Sequence, residues 1–423
     1  MTNVEKFVIE GGRSLEGEIE VRGSKNAAGP ILAATLMTDQ ECEIENIPLI
    51  KDIMSLIEIM ESMGAKIEWT GERSLKVSSR NGIDPSKMDF GKASATRVSV
   101  LLIGALLARA KRFKIAKPGG DRIGLRPIST HIEALEKLGA KIEEQSTFYE
   151  IDFADLRGRE VILKEFSVTA TENLIMVGSI LSGRTIIKGA AAEPQVQNLG
   201  DMLNKMGAKI SGLGTHTIVI DGVENLSGVT HKIIPDPNEA GTFVLAGAIT
   251  PGKIKVIGAI PSHLDLFLDR LEEMGVDMIK DDNSVTVDYS PNLRPVRVQA
   301  LPYPGFPTDL LPPLVPLLTQ AKGKSLVHDP LYENRLSYIH ELRKMGADIE
   351  LVDPHRAIVF GKTNLVGQNI ESGDIRAGAA LVIAGLLAKG RTTIRNIYQI
   401  DRGYEKIEER LQRLGASIQR VSE

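Results

Sequence analysis

The sequence is poor in sulfur and in aromatic rings. One cysteine, Cys42, occurs in 423 residues, so no disulfide can form within the chain, which suits a reducing compartment. Aromatic residues make up 4% of the chain, with a single Trp, so the interior must be built from aliphatic side chains. No CxxC or HExxH pattern is present and the seven histidines are scattered, which argues against a dedicated metal site. The net charge is −4, without the basic balance that a nucleic-acid partner requires. The most apolar stretch, Val98 to Leu107, is too short to span a bilayer. The segment Met1 to Glu10 lacks the basic start and apolar run of a signal peptide. A cytoplasmic protein with neither membrane nor nucleic-acid partners is the expectation.

What the chain does have is repetition. An amphipathic stretch ending in Met-Gly or Leu-Gly, followed by a small residue and an alternating segment, recurs with its glycine at Gly64, Gly139, Gly207, Gly275, Gly346 and Gly415. The spacing is about 70 residues throughout, the mark of a repeated structural unit. Each glycine stands where a helix should end in a left-handed residue, which glycine adopts at little cost. The alternating segments, such as Ala65-Lys66-Ile67-Glu68, read as strands. Upstream lies a second kind of helix, rich in Ala, Gly, Leu and Ile on all sides and therefore buried: Asn26–Met37, Arg97–Ala108, Glu172–Leu181, Thr242–Ile249 and Ala377–Leu387. Half-buried sheets around buried helices imply an α/β fold with helices inside and sheets outside. Six repeats divide into two similar domains of three, 23–231 and 1–22 plus 232–423. The strand Lys6–Glu10 has no repeat of its own and is expected beside the C-terminus.

Polar residues start each buried helix: Ser24-Lys25-Asn26, Ser94-Ala95-Thr96-Arg97, Ser167-Val168-Thr169, Asp236-Pro237-Asn238, Pro307-Thr308-Asp309 and Asp374-Ile375-Arg376. Ser, Thr, Asp and Asn there are ordinary N-caps. Lys25, Arg97 and Arg376 are not, because a cation at a helix N-terminus opposes the dipole and calls for a bound anion or a partner carboxylate.

Four motifs carry a resemblance. Gly23-Ser24-Lys25-Asn26-Ala27, the loop from Pro118-Gly119-Gly120-Asp121 to Arg126-Pro127, Phe306-Pro307-Thr308-Asp309, and Asp401-Arg402-Gly403-Tyr404-Glu405 together resemble the sugar-nucleotide branch of the enolpyruvyl transferase family, in order along nearly the whole chain. The resemblance implies an inside-out α/β barrel architecture, with the catalytic loop at 117–127 in the first domain. It implies transfer of the enolpyruvyl group of phosphoenolpyruvate to the 3-hydroxyl of UDP-N-acetylglucosamine, without metal or organic cofactor. It gives phosphoenolpyruvate to Lys25, Asn26, Arg126, Arg376 and Arg402. It gives the sugar nucleotide to Asn26, Arg97, Arg126, Pro127, Ile128, Ser129, Thr130, Ser167, Val168, Thr169, Asp309 and Leu331. Asp309 would be the general base and Asp121 the general acid, with Lys25 and Arg402 also catalytic.

The chain departs from the family pattern in places. Asp121 stands where the loop residue is usually Cys, which implies insensitivity to the epoxide fosfomycin, since a carboxylate is a poor nucleophile beside a thiolate. An aspartate ordinarily ionises near pH 3.9, so it must be protonated to act as an acid. Ser129 and Thr130 stand for Asp-Leu, Glu165 for Lys and Thr169 for Gly, and Asp309 is followed by Leu-Leu-Pro-Pro. A carboxylate gained beside a diphosphate should weaken its binding. A different acceptor, and a catalytically silent sugar-nucleotide binder, therefore stand as alternatives.

Overall fold

A computed structural model describes residues 5–120, 123, 124, 126–153 and 156–422. The chain divides into two compact units. An N-proximal unit comprises Gly23–Gly120 and Arg126–Ile234; a C-proximal unit comprises the chain up to Arg22, Ile123 with Gly124, and everything from Pro235. The boundary lies after Ile234 rather than after His231, because the strand Thr230–Lys232 pairs in parallel with Cys42–Glu45. The loop also differs from expectation. Asn334 donates its backbone N–H to the carbonyl of Ile123 at 3.1 Å, which places that part of the 117–127 segment with the C-proximal unit.

The described residues form six sheets, five of four strands and one of three. In the four-stranded sheet of the first C-proximal repeat, Gly17–Glu20 runs parallel to Lys253–Ile257, which pairs antiparallel with Ser284–Asp288, and Met278–Asp281 closes the edge. Ile254 and Val256 face Val287 and Val285 with all four buried, while the intervening lysines point outward. This is the period-two pattern of a sheet with one dry face. Thr230–Lys232 is the lead strand of the first N-proximal repeat, so each unit's first sheet takes its lead strand from the segment preceding the other unit's first helix. The strand Glu5–Glu10 lies between Arg391–Arg395 and Ser417–Ser422, beside the C-terminus. The three-stranded sheet, Arg112–Ala116, Phe148–Asp152 and Lys141–Glu144, has no lead strand; the preceding chain forms the 3-10 turn Pro85–Lys87 and the short helix Phe90–Ala95 instead.

Each unit has its own apolar core. The C-proximal core is centred on the helices Pro237–Ile249, Leu311–Leu318 and Ile375–Leu387, which are buried almost throughout. The N-proximal core holds Lys25–Thr35, Leu102–Leu106 and Val168–Ile180. The continuous helix expected over Arg97–Ala108 is instead a 3-10 turn, Val98–Leu101, running into a short α-helix. All six repeat glycines have positive φ, between 89° and 110°, as the helix-ending reading requires.

Two buried acids stand out in these cores. Glu239 pairs with Arg410 at 2.8 Å and accepts the backbone N–H of Arg22 at 2.8 Å, pinning the segment after the exchanged strand. Glu172, in the Val168–Ile180 helix, is fully buried and its Oε1 has no hydrogen-bond partner among the described residues. Burial, then the Glu193 carboxylate, pushes its pKa well above the ordinary value. The folded state therefore keeps a proton that the unfolded chain releases in the ordinary carboxylate range, so the stability that Glu172 contributes falls as pH rises through that window. Between about pH 5 and 8 the denaturant midpoint of the native protein should fall relative to that of Glu172→Gln, because buried neutral histidines such as His131 contribute alike to both. An unchanged slope in the variant would contradict the assignment.

Candidate active site

In the C-proximal unit the sequence builds a cage around one carboxylate. The 3-10 turn Thr308–Leu310 opens the helix Leu311–Leu318 and presents Asp309. Its Oδ1 lies 2.8 Å from Arg335 Nη2, and its Oδ2 lies 3.0 Å from Arg376 Nη2 and 3.4 Å from Asn238 Nδ2. Both guanidinium groups are buried, whereas Asp309 keeps about a quarter of its side chain open, at 26%. Arg376 lies against the Tyr404 ring, whose hydroxyl meets Thr242 Oγ1 at 2.8 Å. Arg335 lies against the Tyr332 ring and 3.8 Å from Asp329, which accepts from Thr308 Oγ1 at 2.6 Å and from the Leu331 and Tyr332 N–H groups. Burial is the largest single effect and disfavours both cations, but the attractions of Asp309, Asp374, Tyr332 and Asp329 at Arg335, and of Asp309, Tyr404 and Asp236 at Arg376, together outweigh it. Both therefore stay charged and aimed at one small region, which suits an anionic ligand. Arg402 is also buried, with Nη1 donating to Gln399 Oε1 at 2.9 Å, and Leu331 is exposed.

The N-proximal unit collects the other candidates. Ser24 caps the helix Lys25–Thr35 by accepting from Ala27 N, and Lys25 Nζ meets Asp52 Oδ2 at 2.7 Å. Asn26, next on that helix, is half-buried. Arg97 donates to the backbone carbonyls of Arg126 and Pro127, the latter at 3.3 Å. Pro127 and Ser129 are exposed and Ile128 is buried, at the start of the helix Ser129–Leu138. Ser167 caps Val168–Ile180 through Ala170 N. Thr130 Oγ1 donates to Glu165 Oε1 at 2.6 Å. Asp121 lies outside the described residues. The cations flagged at helix starts thus have protein partners: carboxylates for Lys25 and Arg376, carbonyls for Arg97.

Sequence reasoning missed several of these groups. Arg335 and Asp52 were not singled out, nor was His131. Burial, then the charge of Arg97, lowers the His131 pKa to about 3, so the ring is neutral. Asn173 accepts from Gly104 N at 2.8 Å and donates to the Val100 carbonyl at 3.0 Å, which fixes its amide orientation. Its Nδ2 therefore donates to His131 Nδ1 at 2.9 Å, leaving Nε2–H to donate to Thr169 Oγ1 at 3.0 Å. A signal existed: His131 shares one face of its helix with Leu135 and Leu138, an apolar face that buries it.

Sequence comparison shows the family. A model of the EPSP synthase (3-phosphoshikimate 1-carboxyvinyltransferase) family matches residues 9–411. The chain belongs to the enolpyruvyl transferase family. Among its relatives in this family, a UDP-N-acetylglucosamine 1-carboxyvinyltransferase of Koribacter versatilis is 43% identical over 99% of this chain and 97% of its own. One from Symbiobacterium thermophilum is also 43% identical, over 99% of this chain and 95% of its own. The enolpyruvyl transferase NikO from Streptomyces tendae has the same fold, with a TM-score of 0.90 at 24% identity and complete coverage of both chains. An EPSP synthase from Acinetobacter baumannii follows at a TM-score of 0.73 and 18% identity, covering 99% of this chain and 100% of its own. At those identities the two structures establish the architecture alone: an enolpyruvyl transferase α/β fold with helices inside and sheets outside. No described helix of this enolpyruvyl transferase is long and apolar enough to cross a membrane.

Proposed function

We propose that the protein transfers the enolpyruvyl group of phosphoenolpyruvate to the 3-hydroxyl of UDP-N-acetylglucosamine, releasing phosphate. The observation that carries this reading is full-length similarity at 43% to enzymes of that name. The Asp309 cage supports the chemistry. The methylene carbon of phosphoenolpyruvate takes a proton, the sugar hydroxyl attacks the neighbouring carbon and its proton passes to Asp309. The carbon–oxygen bond to phosphate then breaks as the new methyl group loses a proton, restoring the double bond. Such a step needs an acid and a base on opposite sides of the reacting carbons. Asp309 supplies the base, and Asp121 is the acid in this reading.

Lys25, Asn26, Arg126, Arg376 and Arg402 hold phosphoenolpyruvate. Asn26, Arg97, the segment Arg126 to Thr130, Ser167 to Thr169, Asp309 and Leu331 hold the sugar nucleotide. The reaction belongs at the first committed step of peptidoglycan precursor synthesis in the cytoplasm, and hence to cell shape and division. Phosphate should be released from phosphoenolpyruvate only when UDP-N-acetylglucosamine is present. Equal or faster release with another acceptor from a panel of nucleotide sugars would overturn the acceptor assignment.

Asp121 gives a separate test. The native protein should be insensitive to fosfomycin, and Asp121→Cys should keep turnover while gaining time-dependent inactivation by that epoxide. Asp121→Asn should bind UDP-N-acetylglucosamine as the native protein does yet lose turnover. Near-native turnover in that variant would assign the proton to another group.

A further inference from the structure

Arg402 belongs to a segment with little hold of its own. It follows the helix Tyr398–Asp401, a single turn too short to persist without tertiary support. The residues that bracket this segment, Asn396 and Lys406, both have positive φ, 56° and 42°, which such side chains keep only where the surrounding structure imposes it. On the inner side the support is packing. A Cβ on Gly403 would collide with Ile375, and one on Gly378 with Ile400, so the segment sits flush on the helix Ile375–Leu387 that carries Arg376. On the outer side the support is charge. One oxygen of the largely buried Asp401 carboxylate accepts from Arg420 Nη2 at 2.7 Å and the other from Nη1 at 3.0 Å, a two-pronged geometry that fixes direction as well as distance. Arg420 is anchored in turn: its Nε donates to Glu408 at 2.6 Å, its Nη1 also donates to Glu5 at 2.9 Å, and its guanidinium lies against the Phe7 ring. Carboxylates from the strand Glu5–Glu10, from the helix Ile407–Arg413 and from the residue before Arg402 thus meet on a cation in the strand Ser417–Ser422.

We propose that Arg420 is a positioning residue for Arg402 and acts through Asp401. By gripping the carboxylate that immediately precedes Arg402, it fixes the turn from which that guanidinium serves phosphoenolpyruvate. It also neutralises a negative charge one residue from Arg402, where an uncompensated carboxylate would repel an anionic substrate. This rests on the reading that Arg402 holds phosphoenolpyruvate, and it deepens that reading by naming what aims the group. A cation that merely stabilised the sheet would serve the fold through all three carboxylates alike. A positioning role runs through Asp401 and leaves the contact with Glu5 to stability alone.

Steady-state kinetics on both substrates, with melting temperatures from the same samples, tests this. Arg420→Gln should raise KM for phosphoenolpyruvate by about tenfold, the scale of one hydrogen bond to a charged group, and leave KM for UDP-N-acetylglucosamine at the native value. Asp401→Asn should raise it less, because the amide leaves no stray charge. Adding Asp401→Asn to Arg420→Gln should return KM to the Asp401→Asn value rather than add to it, since both changes break one link. Arg420→Lys should recover part of the native value, because an ammonium cannot span both carboxylate oxygens. Glu5→Gln, at a carboxylate 39% exposed, should lower the melting temperature slightly and keep both KM values native. If Arg420→Gln does not fold, the nearly isosteric Asp401→Asn decides alone. A native KM for phosphoenolpyruvate in Asp401→Asn, or an equal rise in Glu5→Gln, would overturn this inference while leaving the functional reading in place. A native KM for phosphoenolpyruvate in Arg402→Ala would overturn the placing of Arg402 and this inference with it.

Discussion

Asp309→Asn should cut turnover by about a thousandfold, within the range that a positioned general base contributes, without weakening the grip on phosphoenolpyruvate. The amide preserves the shape of the carboxylate that Arg335, Arg376 and Asn238 now contact, but it cannot take the proton of the attacking hydroxyl. Removing the negative charge also releases two buried guanidinium groups that an anionic substrate can use more fully. The dissociation constant for phosphoenolpyruvate should therefore hold or fall while kcat collapses, a split that damage to binding would not produce. Steady-state kinetics at saturating concentrations of both substrates, paired with a binding titration, decides it. Turnover within tenfold of native would mean that another group takes the proton.

Arg335→Met should destabilise the protein by about 3–5 kcal/mol, the usual cost of breaking a buried ion pair by removing one partner. The side chain is 2% exposed and stands between Asp309 and Asp329, so its loss leaves two carboxylates sharing a region with one fewer cation. Arg335→Lys should not rescue fully, because an ammonium cannot reproduce the planar fork that reaches Asp309 while lying on the Tyr332 ring. Adding Asp309→Asn to Arg335→Met should recover part of the lost stability, since the uncompensated charge is then gone. Urea midpoints of the two single variants and the double variant measure this. A shift below about 1 kcal/mol in Arg335→Met would place the cage among marginal surface pairs.

The repeats were legible because their physics is local. A left-handed glycine after an amphipathic helix leaves a mark within a few residues, and all six positions adopted that conformation. Aliphatic helices without a polar face announced their own burial, and the N-terminal strand without a repeat of its own found a place beside the C-terminal one. What failed to show was non-local or depended on an edge. Lys25 finds its carboxylate in Asp52 and Asp309 its second cation in Arg335, pairs that leave no periodic signal because each partner is set by packing. The second repeat lost its lead strand and broke its inner helix, although Val98 to Leu107 looks as helical as its counterparts. Glu165 looked like a defect from the sequence because the Thr130 hydroxyl that engages it comes from a different helix.

The transfer itself is read out by identifying the product formed from phosphoenolpyruvate and UDP-N-acetylglucosamine in deuterated water. Proton and carbon NMR should find a carboxyvinyl ether on the sugar 3-oxygen, equimolar with released phosphate. Deuterium should appear in its vinyl methylene, because addition makes that carbon a methyl group before elimination takes a hydrogen back. A phosphorylated sugar, or release of phosphate with the sugar unchanged, would contradict the account.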